Sequence, residues 1–317
     1  MPTGNDYLRE AYLLALRGEG HTRPNPPVGA VVVRNGKIVG AGWHKRAGAD
    51  HAEAMALKAA GEKARGATVY VTLEPCSKPG RVGACTDALA AAGVKRVVYG
   101  MRDPNPKNRG RAKRALAKAG IECERADCPP ELAALLEDLI TPFAKHVTTG
   151  LPYVTVKLAM SLDGKICDDY GDAKWISGDA MRKTTDRLLR QRADAIMVGA
   201  ETIRRDNPSL LSHFKKNRDL VRVIVSRSGN LPEDAQIFTD GAPNETLVFS
   251  DGVEALKELG RRGMMHVVCE GGMKLAVSLA EAGLVDRWLT VLAPKVIGSR
   301  HIKDAILIKE FECLQDS

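Results

Sequence analysis

Aromatic residues are scarce: Phe, Trp and Tyr make up 4% of the 317 residues. That is too few to build the stacked platforms on which single strands of nucleic acid bind. No apolar run approaches the roughly 18 residues a membrane helix needs; the longest, such as Val28–Val33, are far shorter. The opening residues, Met1-Pro2-Thr3-Gly4-Asn5-Asp6, carry neither a basic start nor an apolar stretch, so no secretion signal is expected. Cysteine is sparse and odd in number, 7 in all. A disulfide framework is therefore not expected, and a reducing compartment, the cytoplasm, fits better. No Gly-x-Gly-x-x-Gly fingerprint occurs anywhere, which disfavours an ordinary Rossmann dinucleotide fold. Internal repeats and low-complexity tracts are missing as well.

What is present describes a folded chain. Its length fits two domains, each large enough for an ordinary core. Hydrophobic residues make up 44% and charged residues 27%, as in globular proteins. The formal net charge is +8, compatible with nucleic acid or with a phosphorylated small molecule. The densest basic run, Lys107, Arg109, Arg111, Lys113, Arg114 and Lys118, reads as the solvated face of a helix ending at Gly120. No aromatics interleave with it.

Residues 5–17 read as a helix capped by Asn5 or Asp6, with Leu8, Tyr12 and Ala15 on one face. Pro24-Asn25-Pro26-Pro27 is a loop. Val28–Val33 and Lys37–Trp43 then flank Asn35-Gly36, a strong hairpin signal. Downstream, helices (51–61, 86–92, 111–119) alternate with strands (68–73, 95–99, 121–125), which implies a three-layer α/β domain with a mixed sheet. A helix over 129–146 and a linker at Thr148-Thr149-Gly150 complete a first domain, residues 1–147. The second, residues 151–317, is expected to hold strands at 153–160, 194–198, 221–225, 246–249, 265–269, 286–292 and 305–313. Helices are expected at 179–191, 252–262 and 273–282.

The sharpest chemical feature is His51-Ala52-Glu53 followed by Pro75-Cys76 and Cys85. One imidazole and two thiolates suit zinc with an open fourth position. Zinc lowers the pKa of a bound water towards about 7, and Glu53 is placed to carry a proton from that water to a ring nitrogen and on to a departing amine. Cys76 and Cys85 are each expected at or just before a helix start, where the dipole favours a thiolate. The remaining cysteines have no partners at ligand spacing.

His-Ala-Glu with Pro-Cys resembles the zinc-dependent cytidine deaminase superfamily. Most of its members separate the two cysteines by two residues, whereas here eight, Ser77 to Ala84, intervene. That spacing, with Pro24-Asn25-Pro26-Pro27-Val28-Gly29 upstream and Asp103-Pro104-Asn105-Pro106 downstream, is similar to the bifunctional deaminase–reductase family of riboflavin biosynthesis, and the likeness extends over nearly the whole chain. The resemblance implies a cytidine-deaminase-like α/β/α domain followed by a dihydrofolate-reductase-like α/β domain. It implies zinc-dependent deamination of a phosphoribosylated diaminopyrimidine, then NADPH-dependent reduction of its ribose to a ribityl chain. Asn25 and His44 would line the pyrimidine site, and Arg81 would meet the phosphate. Lys78 stands where the family has a histidine; it can hold a phosphate or carbonyl only as a point charge.

In the second half, Lys157-Leu158-Ala159-Met160-Ser161-Leu162-Asp163-Gly164 matches the family's opening strand and turn. The resemblance assigns the cofactor to Ala159, Trp175, Thr202, Asp206, Ser226 and the loop Gly272, Met273, Lys274, Leu275, Ala276, Val277 and Ser278. A helix starting near Gly272 would turn its free N–H groups to a pyrophosphate. It assigns the reductase substrate to Lys157, Ala173, Arg190, Leu210, His213 and Glu270. His213 replaces an arginine that the family uses on phosphate, and a histidine largely neutral at pH 7 is a poorer partner there. The stretch between Phe249 and Met264 is shorter than the family norm, and Ile306–Cys313 reads as the penultimate strand. A small phosphorylated pyrimidine, a homo-oligomer, and neither nucleic acid nor membrane are the expected partners. The alternatives are a deaminase whose reductase half is only a scaffold, and a nucleic-acid deaminase or RNA-binding protein.

Overall fold

The computed structural model describes residues 2–78, 83–168, 176–212 and 220–297. These form two compact units, Met1–Tyr153 with Lys257–Met265, and Val154–Leu256 with the described residues from His266 on. Among the described residues no helix is long and apolar enough to cross a membrane.

The first unit opens with α1 (Gly4–Ala15). Its cap is Thr3 rather than Asn5 or Asp6: the Thr3 hydroxyl accepts from the Asp6 N–H, and the Asp6 carboxylate accepts from the Thr3 N–H at 2.7 Å. This reciprocal box satisfies two N–H groups the helix leaves open, so Asp6 contributes one turn later than its sequence position implied. The hairpin follows, β1 (Gly29–Arg34) and β2 (Lys37–Trp43), paired antiparallel. Its turn residues Asn35 and Gly36 have φ of 51° and 72°, the left-handed pair that a two-residue turn between twisted strands requires. Then come α2 (Ala52–Ala60), β3 (Thr68–Leu73), α3 (Cys85–Ala91), β4 (Arg96–Met101), α4 (Ala112–Ala117), β5 (Glu122–Arg125) and α5 (Pro130–Thr149). The sheet order is β2-β1-β3-β4-β5; β1 is antiparallel to β2 and β3, while β3, β4 and β5 run parallel.

Side chains alternate across β1 and sort the helices into two layers. Ala30 and Val32 join a core with Ala56 and Leu57 of α2, Leu89 of α3 and Leu116 of α4. Val31 and Val33 face the other way, with Tyr7 of α1, while Leu8 packs with Leu132 and Leu136 of α5. Thr148 and Thr149, expected in a linker, are the last turn of α5. Their hydroxyls donate to Ala144 and Lys145 carbonyls at 2.8 Å, and Gly150 closes the helix at φ 76°. Bonding back to its own helix removes the reason a threonine pair would unwind it.

The elements that follow are β6 (Tyr153–Ser161), α6 (Asp179–Thr185), β7 (Ala195–Gly199), α7 (Ala200–Asp206), β8 (Val221–Val225), α8 (Gln236–Thr239), β9 (Thr246–Phe249), α9 (Gly252–Arg261), β10 (His266–Glu270), α10 (Met273–Glu281) and β11 (Arg287–Ala293). Tyr153 and the second half of α9, from Lys257 on, fall in the first unit, and the rest of these elements belong to the second. The sheet order is β11-β6-β10-β7-β8-β9. The β11–β6, β10–β7, β7–β8 and β8–β9 pairs are all parallel. Leu189, Ile203 and Ile237 pack with Ile196, Val198, Ile224 and Val268 to form one core of this unit. The helix expected over 179–191 ends at Thr185 and continues as a π-turn, Asp186–Arg190. Helices α7 and α8 were not expected; α7 follows its strand with no intervening loop, so no turn residue announces it. The expected strand at 305–313 lies outside the described residues.

Candidate functional site

In the first unit, three segments distant in sequence meet at one end of the sheet. His51 is the N-cap of α2, Cys76 follows β3 in an irregular segment, and Cys85 is the first residue of α3. Cys76 is thus not at a helix start as expected, yet the backbone N–H of Cys85 donates to its Sγ at 3.3 Å. His51 Nδ1 lies 3.1 Å from Cys85 Sγ and 3.6 Å from Cys76 Sγ, and the three ligand atoms all fall within 4.8 Å of one another. Bonds of about 2.3 Å to sulfur and 2.0 Å to nitrogen imply tetrahedral edges of about 3.5–3.8 Å. The donor set and its spacing therefore fit zinc.

Protonation in this cluster follows from contact. Hydrogen bonding with Cys85 holds the Cys76 thiol well below the usual thiol range, against the effect of burial. The same contact, with burial, pushes the Cys85 thiol up, so the metal-free pair keeps its proton on Cys85. Glu53, in the first turn of α2, is 3% exposed. Burial, and then the charge of Cys76, push its carboxyl above the ordinary range.

Asn25 and His44 come together beside this cluster. Their side chains are 3.1 Å apart, and the rings of His44 and His51 stand edge to face with centroids 5.2 Å apart. His44 Nδ1 lies 3.1 Å from the Asp50 carbonyl, which can only accept. Nδ1 therefore carries the proton, and Nε2 accepts from the Asn25 amide. Burial, chiefly, holds His44 below its ordinary pKa, consistent with this neutral tautomer. Lys78 is exposed, and Arg81 lies outside the described residues.

Sequence reasoning used Asp103 only within the motif that carried the resemblance and missed the polar cradle around Cys76 that buried Glu74, Asp103 and Asn108 make with half-buried Ser77. Its local half was legible: the Asn105 N–H donates to Asp103 Oδ1 and the Lys107 N–H to Asn105 Oδ1, turns that Asp and Asn favour by their side chains. The bonds to Ser77 and Glu74 span some 30 residues and have no local signature.

In the second unit, Gly199 is opposite Val225, and Cys269 is opposite Met197. This register gathers the ends of β7, β8 and β10, with Ala200, Ser226 and the Glu270-Gly271-Gly272 turn, on one edge. Gly271 and Gly272 have φ of 83° and 78°, which side chains rarely tolerate. A Cβ on Gly271 would lie 3.3 Å from Thr202 Oγ1. Helix α10 begins directly after this pair. Ser226 is 4% exposed, and its Oγ has no hydrogen-bond partner among the described residues. Glycines that leave backbone bare at a helix N-terminus, with a buried hydroxyl nearby, fit a dinucleotide phosphate. Within the loop, Leu275 and Ala276 are buried and offer only backbone, whereas Met273 is half-buried and Lys274, Val277 and Ser278 are exposed.

The remaining residues assigned to this unit are spread more widely. Lys157 and Ala159 are half-buried on β6, and Asp206 ends α7. Leu210 is 2% exposed, in the core at φ 56°. Arg190 and Glu270 are bound to each other: Nε and Nη2 donate to the two carboxylate oxygens at 3.1 and 2.7 Å, and Nη1 to the Leu211 carbonyl at 2.8 Å. Ala173, Trp175 and His213 lie outside the described residues.

Comparisons with known proteins agree across both units. Residues 1–101 match the cytidine and deoxycytidylate deaminase zinc-binding region, and residues 152–314 match the RibD C-terminal domain. The riboflavin biosynthesis protein RibD of Aquifex aeolicus is 39% identical over 316 residues, 92% of this chain and 87% of that protein. RibD of Escherichia coli is 37% identical over 329 residues, 92% and 88%. A structure of Acinetobacter baumannii RibD superposes with a TM-score of 0.82 at 34% identity, covering 98% of this chain and 92% of that one. The Thermotoga maritima diaminohydroxyphosphoribosylaminopyrimidine deaminase/5-amino-6-(5-phosphoribosylamino)uracil reductase gives 0.84 at 35%, covering 93% and 88%.

Proposed function

The chain belongs to the RibD family of bifunctional riboflavin-biosynthesis enzymes, and from that premise we propose how its own residues carry the deaminase and reductase reactions. His51, Cys76 and Cys85 hold zinc. The convergence of their three ligand atoms beside buried Glu53 carries this reading. When bound, zinc supplies a water acidic enough to act as nucleophile at neutral pH. Glu53 moves the protons: its carboxylate accepts one from the attacking water and delivers it to the ring nitrogen, then accepts a second from the hydroxyl newly bonded to the substrate carbon and passes it to the leaving amine. Asn25, fixed by His44, reads the pyrimidine edge, and Lys78 and Arg81 hold the charged end of the substrate.

In the reductase half, Ala159, Trp175, Thr202, Asp206, Ser226 and residues 272–278 hold NADPH, which supplies a hydride. Lys157, Ala173, Leu210 and His213 face the phosphoribosyl substrate. Arg190 and Glu270 serve there as one neutralised pair. The domains are residues 1–147 and 151–317, in a cytoplasmic homo-oligomer that binds no nucleic acid.

The test is Glu53→Gln. The neutral amide keeps the shape and does not disturb the ligands, so one zinc per chain is retained. Ammonia release falls about 10²–10⁴-fold, the usual contribution of a general acid–base. Near-wild-type turnover with zinc retained would remove Glu53 from the mechanism.

A further inference from the structure

We infer that Asn108 is the positioning residue for Cys76, gripping the chain on both sides of this ligand so that its thiol is presented to the metal. The inference rests on the reading of His51, Cys76 and Cys85 as a zinc site. Cys76 lies in an irregular segment after β3, outside any sheet ladder, and its own carbonyl accepts from the Thr86 N–H of α3 at 3.2 Å. Asn108 restrains the residues on either side of it. Its Oδ1 accepts from the Ser77 N–H at 2.9 Å and the Ser77 hydroxyl at 3.2 Å. Its Nδ2 donates to Asp103 Oδ2 at 2.8 Å and to the Pro75 carbonyl at 3.4 Å. The amide orientation is dictated by its partners: a backbone N–H can only donate and a carbonyl can only accept. One side chain therefore bonds the residue before Cys76 and the residue after it, as a neighbouring strand would.

The loop carrying Asn108 is itself tied to the same segment. The carboxylate of Glu74, 3% exposed, accepts from the backbone N–H groups of Asp103 at 3.2 Å, Gly110 at 3.0 Å and Ala112 at 3.2 Å. Asp103 in turn holds the Asn108 amide. The anchors thus fall on residues 74, 75 and 77. Cys76 is left between them with its Sγ toward His51 and Cys85. Asn108 is only 7% exposed, where an apolar side chain would fill the space without the desolvation cost. What an apolar residue could not do is satisfy the N–H and C=O groups on either side of the ligand at once.

The experiment uses the full-length protein with zinc, comparing wild type, Asn108→Ala, Asn108→Asp and Leu132→Ala. Leu132, buried on α5 with Leu8 and Leu136, is in the other helix layer from the ligand-bearing helices and serves as a loss of stability remote from the site. Zinc affinity is measured by competition with a chromophoric chelator, and ligand geometry by the thiolate charge-transfer band of the cobalt-substituted protein. Asn108→Ala should weaken zinc binding about 10–100-fold, as loss of an outer hydrogen-bond partner does, and shift the cobalt band. Asn108→Asp keeps the acceptor for Ser77, loses the donor to Pro75 and Asp103 and sets a second carboxyl against Asp103, so it should weaken zinc binding and shift the band in the same direction. It also decides the question if the alanine variant does not fold. Leu132→Ala should lower the melting temperature with zinc affinity and cobalt spectrum unchanged. Wild-type affinity and spectrum in the Asn108 variants, or an equal zinc loss in Leu132→Ala, would overturn the positioning role. A wild-type protein that binds no zinc would overturn the metal reading itself.

Discussion

Gly42→Ala tests whether the deaminase centre depends on how closely α2 lies against the hairpin. Gly42 sits in β2 opposite Ala30. A Cβ there would come within 2.6 Å of Ala56 N and Met55 Cβ, and 2.7 Å of Ala52 O. Ordinary contacts between heavy atoms begin near 3.5 Å, so the helix must retreat by about 0.8–0.9 Å. Two of the three atoms are backbone, and no change of rotamer relieves them. Overpacking of this kind costs about 1–3 kcal/mol. The smaller entropy of an alanine-containing unfolded chain returns about 0.4–1 kcal/mol, leaving a net loss of about 0.6–2 kcal/mol. The displaced helix carries His51 at its N-cap and Glu53 in its first turn. A misplacement of about 1 Å can cost 10²-fold in rate, so ammonia release should fall about 10–100-fold with zinc saturating. Urea unfolding and steady-state deamination measure the two effects. Gly178→Ala, where an added Cβ meets nothing within 4 Å, is the control: deamination should not change, and stability should shift by no more than the unfolded chain's contribution of about 0.4–1 kcal/mol. If Gly42→Ala stays within about 0.5 kcal/mol and twofold of wild type, helix α2 is not seated by this contact and the reasoning fails.

Three further outcomes are expected. His44 has a folded-state pKa below its ordinary 6.5, so its contribution to stability is complete above about pH 6.5 and is lost as the pH falls through the depressed value. His44→Gln should flatten the fall in unfolding free energy between about pH 7 and pH 5, and identical slopes in both proteins would count against the neutral tautomer. Stripping zinc should expose a thiolate at Cys76 and a thiol at Cys85. Alkylation at pH 6 followed by peptide mapping should then label Cys76 first, with zinc protecting it; preferential labelling of Cys85 would reverse the proton assignment. His213→Arg should strengthen binding of the phosphoribosyl substrate in the reductase reaction about 10–100-fold, from a charge-assisted bond of about 1.5–3 kcal/mol. An unchanged KM would place the phosphate elsewhere.

Most of the fold was legible because its signals are local. Asn35-Gly36 between two alternating runs specifies the hairpin through the positive φ of both turn residues. The alternation of strands and helices specifies two α/β units, since a strand's period is set by neighbours two residues away and a helix's by neighbours three or four away. The errors were also local. Thr3 rather than Asn5 or Asp6 caps α1, because capping geometry rather than residue type selects the N-cap. Thr148 and Thr149 stay helical because their hydroxyls bond the carbonyls of the preceding turn. The motif residues His51, Glu53, Cys76 and Cys85 announced zinc chemistry by type and spacing alone.

Which groups meet, and in what protonation state, was decided only by the tertiary structure. Packing sets the distances from His51 to both thiols, and their contact decides which thiol keeps the proton. Arg190 and Glu270, each read as facing substrate, stand 80 residues apart and bind each other. Asn108 carries no motif, yet it brackets a ligand from across the fold. Periodicity and motif spacing are properties of adjacent residues and survive in a one-dimensional string. Hydrogen-bond partnership and desolvation depend on atoms brought within a few ångströms by the burial of apolar faces, and that proximity exists only once the sheets and helices have packed.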